Sequence, residues 1–568
     1  MKSEVSLRQQ AAALHQQGEF EQAEELYLNW LHVEPDDVEA LDLLGILYAQ
    51  HGQYGLAKMQ FESALSLQPN NAQLHNHLGQ TLIHLNEHQQ AMVQFKQALA
   101  LTPDYLEAAL NLGRLYEQMG DVVAAQECYQ QSLRHHPDDD AVKHCLALSY
   151  LNNRQTQLAK ELWQTIIKNH PNHFASHFYL GAIYYESNDY EQAKVAFEKA
   201  LELNVQHAET LSNLGAVYLQ LNDREQAILH FLEALAKEPG NLFARTNLAA
   251  TYLTSGKLQL AMNQYYELLA AVPDDFTAHY NLGTIFMQQK KWESAHYHLQ
   301  TAVEIDHESF AALSNLANVL LKRQQKQAAI HCYQKALNIQ PGDESVKYIL
   351  QSLLGEGEYQ SAPKKYIKDL FDNYAHYFDT EVLDKLQYRV PDVMQQLLAD
   401  FLDENSNLSI IDLGCGTGLC SEFLKSSAAK LIGIDISEKM LNQARKTGNY
   451  TELIEDDLIS AMQQKNITVD LIIAADSLVY IGDLNLVFKA ARKILKPSGM
   501  FAFSIEKNTN DSDYQLQQTG RFAHHQNYIR HLINQFGFES IHFQDLVLRS
   551  QAGKPVAGYI VVLKSKSG

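Results

Sequence analysis

Eight of the twelve prolines in this 568-residue chain fall on one grid of 34 residues. Pro35, Pro69, Pro103, Pro137, Pro171, Pro239, Pro273 and Pro341 occupy it, and Val205 and His307 hold the two remaining points. Nine steps lead from the first point to the last, so ten units follow one another without an insertion. The seventh unit shows the chemistry that recurs: Leu214-Gly215, Tyr218, Ala227, Phe231, Ala234 and Pro239. Small residues at Gly215, Ala227 and Ala234 let two helices approach closely, while Tyr218 and Phe231 fill the space between them. Proline ends the second helix because it cannot continue the hydrogen-bond ladder. A period of this length confines the segment to a stack of like units, each touching only its neighbours.

Period and pattern together resemble the tetratricopeptide repeat. The resemblance implies an all-α superhelix over residues 4–341, followed by a capping helix and linker over 342–362, with Glu344 to Leu354 as the helix. It also implies a protein or peptide partner in the concave groove. One row stands out there. Two places before the small-residue marker stand Asn111 in the fourth unit and Asn213, Asn247, Asn281 and Asn315 in units seven to ten. A carboxamide both donates and accepts, so a stacked row suits the main chain of an extended peptide. The array is similar in this to that of the O-GlcNAc transferases.

A glycine-rich break from Gly355 to Pro363 opens the second part. Beyond it, apolar runs at Leu408–Ile411, Leu431–Ile434, Val469–Ala474 and Met500–Ile505 alternate with amphipathic segments, which predicts a parallel sheet with crossover helices. Two more strands, Ile541–Leu548 and Gly558–Leu563, predict a terminal antiparallel hairpin. The first run leads into Asp412 to Gly418, DLGCGTG. A strand, a glycine turn and a helix start let backbone approach a nucleotide-like ligand closely. The glycine spacing is not that of a dinucleotide fingerprint, whose sixth place is Leu419 here.

The pattern acidic-x-G-x-G-x-G resembles motif I of the class I S-adenosylmethionine-dependent methyltransferases. That resemblance implies a Rossmann-like α/β domain over 363–568 and S-adenosyl-L-methionine as cofactor. It would be held by Asp412, Gly414, Cys415, Gly416 and Gly418, with Asp435 on the ribose and Ile436 beside it. Asp456 or Asp457 would meet the adenine amino group; Asp457, directly before Leu458, is favoured, and the other would cap a helix. Tyr374 and Tyr377 lie three apart on one helical face, placed for the cofactor's methionine end.

After the fourth strand the chain reads Ala474-Ala-Asp-Ser-Leu-Val-Tyr480. The Asn/Asp-Pro-Pro-Tyr tetrad of amino-methylating enzymes and the Pro-Cys of cytosine C5 enzymes are both absent from it. The elements Phe371 to Asp379, Tyr388 to Pro391, Phe501 to Glu506, and Arg521 to His524 with Tyr528 resemble a largely uncharacterised bacterial methyltransferase group, often fused to tetratricopeptide repeats. For catalysis, His524 is the first candidate for a general base, with His525 next to it. Arg521 would hold an acceptor carboxylate bidentately or cap a helix.

The net charge of −22 is concentrated in residues 1–362, which carry −19, against −3 from Pro363 onward. Nucleic acid is not expected as a partner, because phosphate binding needs clustered Lys and Arg. Five scattered cysteines suggest neither disulfides nor a metal site, and no signal peptide or membrane span is expected; both fit a reducing cytoplasm. Three readings stay open: a protein methyltransferase, O- or N-directed, whose array captures its substrate; a small-molecule or carrier-bound acyl methyltransferase docked through the array; and a cofactor-binding scaffold without turnover.

Overall fold

Helix boundaries in the first part recur with the 34-residue period for two local reasons. Twenty helices, α1 (Lys2–Gln16) to α20 (Lys326–Ile339), pair into hairpins. Where many of the first helices of a pair begin, a polar side chain accepts a backbone N–H of the first turn: Asp37 from Ala40, Asn241 from Ala244, Asp275 from Ala278. Each replaces one helix-end donor's lost partner. The turn inside each hairpin contains one residue at positive φ: Gly18, Gly52, Asn86, Gly120, Arg154, Asn188, Asn222, Gly256, Lys290 and Gln324. Six of these carry a side chain, at about 1 kcal/mol each relative to glycine.

Packing between paired helices is set by a small residue and a large one sixteen places later. A Cβ added at Gly45, Gly79, Gly181 or Gly215 would lie 2.6–2.7 Å from the ring of Phe61, Phe95, Phe197 or Phe231. Those rings are buried. Units with Ala147, Ala249 or Ala317 at the small position bury Trp163, Tyr265 or Tyr333 instead.

The computed structural model describes residues 2–355, 359–375, 378, 388–403, 407–464, 467–551 and 554–566. They form two compact units, Met1–Ala271 and Val272–Gly568. The first contains α1 to α16 (Leu258–Ala271). The second contains α17 (Phe276–Gln288), α18 (Trp292–Ile305), α19 (Phe310–Lys322), α20, α21 (Glu344–Leu354) and the sheet domain. The divisions drawn from the sequence at 341 and 363 therefore both lie inside the second unit. The physical reason is that α21 does more than cover the last hairpin: its Tyr348 shares an apolar cluster with Val479, Tyr480, Leu516 and Phe522 of the sheet domain.

The sheet domain adds α22 (Lys364–Tyr374), α23 (Val390–Leu397), α24 (Ser421–Leu424), α25 (Glu438–Thr447), α26 (Leu458–Gln464), α27 (Asn485–Ile494) and α28 (Gln526–Gln535). Its strands are β1 (Leu408–Leu413), β2 (Ala428–Asp435), β3 (Glu452–Glu455), β4 (Val469–Ala474), β5 (Leu495–Lys507), β6 (Tyr514–Leu516), β7 (Phe522–His524), β8 (Phe538–Gln551) and β9 (Lys554–Ser565). Strands β3, β2, β1, β4 and β5 are parallel neighbours in that order. β9 adds antiparallel to β5, and β8 to β9. The short strands β7 and β6 extend the end of β5, where apolar periodicity is too brief to show.

Alternate residues feed two cores, because a parallel sheet is covered on both faces. Ile410, Leu431 and Leu471 pack with Val390 and Met394 of α23. Ile411, Ile432 and Ile472 pack with Phe488 of α27 and Leu532 of α28. The carboxyl ends of β1, β2, β3 and β4 emerge at one edge, the crevice where such sheets bind ligands.

Candidate active site

At that edge β1 runs into the glycine loop. Gly414, Gly416 and Gly418 have φ of 70°, 55° and 98°. Gly414 is also pressed close: a Cβ there would lie 2.5 Å from Cβ of Ser477. Gly416 is different, since the nearest atom to an added Cβ is in Phe378, 4.0 Å away. Its open side faces a cavity. The loop's amides are largely engaged within the protein. Gly414 and Cys415 donate to the Ile434 carbonyl at 2.8 and 3.0 Å, and Gly418 donates to Cys415 at 2.9 Å. Gly416 donates to Oδ2 of Asp435 at 2.9 Å. The loop thus offers close approach more than free donors.

The acidic residues separate by environment. Asp435, 7% exposed, also accepts the Ser437 amide at Oδ1. Burial raises its pKa to about 6 against the opposing hydrogen bonds from Ser437, Gly416 and Ile436. Asp412, 1% exposed, accepts the Tyr450 hydroxyl at 2.7 Å. Burial raises it to about 7; the Tyr450 bond opposes this and Asp435 adds to it. Asp457 caps α26, accepting the amides of Ile459 and Ser460 at 3.1 and 3.0 Å. It also pairs with Lys364 of α22. The helix cap therefore falls on Asp457, the residue favoured for adenine, and Asp456 is the less engaged carboxylate, accepting the Asp457 amide at 2.8 Å.

These residues line one cavity of about 270 Å³. Asp412, Gly414, Cys415, Gly416, Asp435, Ile436, Asp456 and Asp457 are on its wall; Gly418 is not. Helix α22 closes one side, contributing Lys364, Ile367 and Phe371. It is tied down by Lys364 to Asp457, by Lys368 to Glu455 at 2.6 Å, and by Ser437 donating to Asp372 at 2.6 Å.

A further stretch of the wall is built from ions. Arg549, 2% exposed in β8, donates through Nη1 to both oxygens of Asp476 at 2.8 and 3.0 Å and through Nη2 to Glu506. Arg521 donates to Asp476 at 3.2 Å, approaches Glu506 at 3.6 Å and lies 5.5 Å over the Tyr480 ring. Two guanidinium groups face two carboxylates, so the cluster is neutral and each buried charge is partnered. Asp476 is held at φ 58°, with its amide on the Ser504 hydroxyl at 2.8 Å. Arg521, Arg549, Asp476, Tyr388 and Tyr480 all line the cavity.

Several sequence expectations need correction. His524 is fully buried in β7, outside the cavity wall. Its Nε2 bonds the carbonyls of Ile481 and Gly482 at 2.9 and 3.1 Å. Burial lowers its pKa to about 4 in spite of those carbonyls. It does not line that cavity. His525 caps α28, accepting the Asn527 amide. Tyr374 is half-buried and off the cavity wall, where Phe371 and Phe378 stand instead; Tyr377 is outside the described residues. Arg521 is at the cavity, in an ion cluster and not at a helix end. Asn213, Asn247, Asn281 and Asn315 are each half-buried. Asn247 donates to its own helix at Phe243, 2.9 Å, and Asn315 to the Tyr280 hydroxyl at 3.3 Å. Arg549 and Glu506 were missed as a pair; the one signal was a charge directly after each of two apolar runs, Met500–Ile505 and Leu546–Leu548.

The family models agree with this architecture. A family model described as Methyltransferase domain matches residues 410–499. Tetratricopeptide repeat models match segments from 8–57 to 310–343. The chain carries tetratricopeptide repeats followed by a methyltransferase domain. Among curated proteins it is similar to the malonyl-(acyl-carrier protein) O-methyltransferase of Priestia megaterium, 29% identical over 26% of this chain and 53% of that one. It is also similar to the ubiquinone biosynthesis O-methyltransferase of Hydrogenovibrio crunogenus, 34% identical over 19% of this chain and 47% of that one. The chain thus spans about half the length of these relatives. Among solved structures it matches MamA of Desulfovibrio magneticus (19% identity, 30% of this chain and 97% of that one, TM-score 0.29). A repeat protein of Cytophaga hutchinsonii matches with 15% identity over 42% of this chain and 98% of that one, TM-score 0.37. No helix among the described residues is long and apolar enough to cross a membrane.

Proposed function

We propose that this chain is an S-adenosylmethionine-dependent O-methyltransferase whose acceptor is a carboxylate, and that its repeats recruit the protein or peptide that presents it. The observation that carries the reading is that one cavity joins the Gly416–Asp435 end to the Arg521 wall.

The residues fit an adenosyl cofactor. Gly416 leaves open space where a side chain would stand, and Asp435 and Asp456 offer acceptors at the ends of β2 and β3. The buried Ser477 hydroxyl faces the glycine loop without a partner among the described residues. Asp412, Cys415 and Ile436 complete that end. When bound, the cofactor supplies a methyl group on a sulfonium, an electrophile with a neutral leaving group.

The chain's own residues then have three tasks. Arg521 binds and orients the acceptor: its guanidinium has five donors, and the Asp476 bond uses Nη1. Phe371, Phe378 and Tyr388 exclude water from the cavity. Asp476, Glu506 and Arg549 keep Arg521 in place. A carboxylate is already ionised near pH 7 and needs no proton removed, which suits a wall with no histidine among its described residues. Both relatives are named O-methyltransferases, one for malonyl-(acyl-carrier protein).

In the repeats, Asn213 and Asn247 of the first compact unit and Asn281 and Asn315 of the second are the residues we assign, within each unit, to the main chain of a bound segment. A first part, residues 1–362, carrying −19 suits a neutral or basic segment better than an acidic one. The reading is tested by titrating S-adenosylhomocysteine into the full chain, then supplying methyl-labelled cofactor with malonyl-acyl carrier protein and with fractionated lysate. A methyl ester releases its label as methanol in alkali. Label stable to alkali, on nitrogen or in an ether, would overturn the carboxylate assignment.

A further inference from the structure

We propose that Tyr348, in the helix that closes the repeats, is a positioning residue for Arg521, so that α21 completes the acceptor end of the cavity. The proposal rests on the role given to Arg521 above.

Tyr348 is fully buried, and its hydroxyl donates to the carbonyl of Gly520 at 2.9 Å across 172 residues of chain. Gly520 is the residue before Arg521. It sits at φ 73° in a tight turn, where its amide donates to Gln517 at 2.9 Å and the Gln517 amide donates to the Arg521 carbonyl at 2.7 Å. A Cβ on Gly520 would lie 2.7 Å from the Tyr366 hydroxyl of α22. The turn is therefore held between a phenol from α21 and a phenol from the helix that closes the cavity. The Tyr348 ring meets those of Tyr359 and Tyr366 at 5.0 Å and Phe522 at 6.5 Å.

Two sets of contacts thus aim Arg521. Asp476, Glu506 and Tyr480 hold its guanidinium, and Tyr348 holds the backbone from which it springs. Burial raises the Tyr348 pKa, so the phenol stays protonated and remains a donor at every physiological pH. Without the hydroxyl, the Gly520 carbonyl loses the one anchor supplied by α21, and the turn is free to shift the arginine's base. The cofactor end, built on β1 and β2, contains no residue of α21.

The experiment uses the full chain, as wild type, Tyr348→Phe and Tyr359→Phe. Arginine labelling by phenylglyoxal is followed at residues 521 and 549 by peptide mass spectrometry, alongside titration of S-adenosylhomocysteine. Tyr348→Phe is expected to change the Arg521 labelling rate by about fivefold, the factor carried by one neutral hydrogen bond. Arg549 labelling and S-adenosylhomocysteine affinity stay level. Tyr359→Phe removes a hydroxyl from the same cluster without touching the turn, and leaves Arg521 unchanged. With malonyl-acyl carrier protein as probe acceptor, Tyr348→Phe raises KM more than it lowers kcat.

An unchanged Arg521 rate, or Arg521 and Arg549 rates shifting together, overturns the proposal. Should Tyr348→Phe not fold, Gly520→Ala strains the same turn from the Tyr366 side and is read the same way. Failure of the wild type to bind S-adenosylhomocysteine would refute the methyltransferase reading, while the labelling comparison still decides the role of Tyr348.

Discussion

Asp435 and Gly416 are joined by a 2.9 Å hydrogen bond that ties the end of β2 to the middle of the glycine loop. The same carboxylate steadies the loop and offers its remaining lone pairs to the cavity. Asp435→Ala removes both functions. We expect S-adenosylhomocysteine binding to weaken by about 100-fold or more, the scale of losing charged hydrogen bonds in a buried site. Calorimetric titration of the full chain measures it, and an affinity within a few-fold of wild type would disprove the role.

Two neighbouring glycines are expected to fail differently. Gly414→Ala drives a Cβ to 2.5 Å from Ser477 at a positive φ, which destabilises the sheet domain by about 2–4 kcal/mol. Gly416→Val has open space for its side chain and carries only the strain of a β-branched residue at φ 55°, about 1–3 kcal/mol, so it should block S-adenosylhomocysteine at a smaller cost to the fold. Denaturant unfolding and ligand titration, run on both variants, separate the two outcomes.

The pH dependence of stability has a definite sign. Burial raises Asp412 from 3.8 to about 7, so the folded state binds its proton more tightly than the unfolded state does. Its contribution is fully present below the unfolded pKa of 3.8 and is lost as pH rises through about 7. Asp435, raised to about 6, acts in the same direction over a lower range. The melting temperature of the sheet domain should therefore fall between about pH 4 and about pH 7. Asp412→Asn, which retains an acceptor for Tyr450, should flatten that slope.

In the repeats, Gly215→Ala places a methyl group 2.7 Å from the buried Phe231 ring. A loss of about 1–3 kcal/mol in local stability is expected, typical of overpacking. Each unit leans on its neighbours alone, so S-adenosylhomocysteine affinity should not move. Hydrogen exchange of α13 (Ala208–Gln220) and α14 (Arg224–Lys237) reports the first effect, and titration the second.

What the sequence made legible was whatever repeats or sits close along the chain. The proline grid predicted paired helices because each unit restates the same boundary chemistry. The glycine loop was legible because strand, turn and helix start are contiguous from Leu408 to Leu424. Of the ion-lined wall only Arg521 was legible, and its partners were not, because they are far apart in sequence: Asp476 follows β4, Glu506 is in β5 and Arg549 is in β8. His524 looked reactive beside Arg521, yet β7 turns it inward onto the carbonyls of Ile481 and Gly482. Three residues of strand are too short to announce which face each side chain takes. The helix cap, which separates Asp457 from Asp456, is likewise located only by the structure.

The hydrogen bond from Tyr348 to Gly520 also has a bearing on how chains of this kind are inherited. A gene rearrangement that exchanged repeats at the obvious seam, the glycine-rich break after Leu354, would separate the phenol from its carbonyl. Recombination that leaves the partnership whole must cut upstream of Glu344, so α21 should travel with the sheet domain when repeats are gained, lost or swapped.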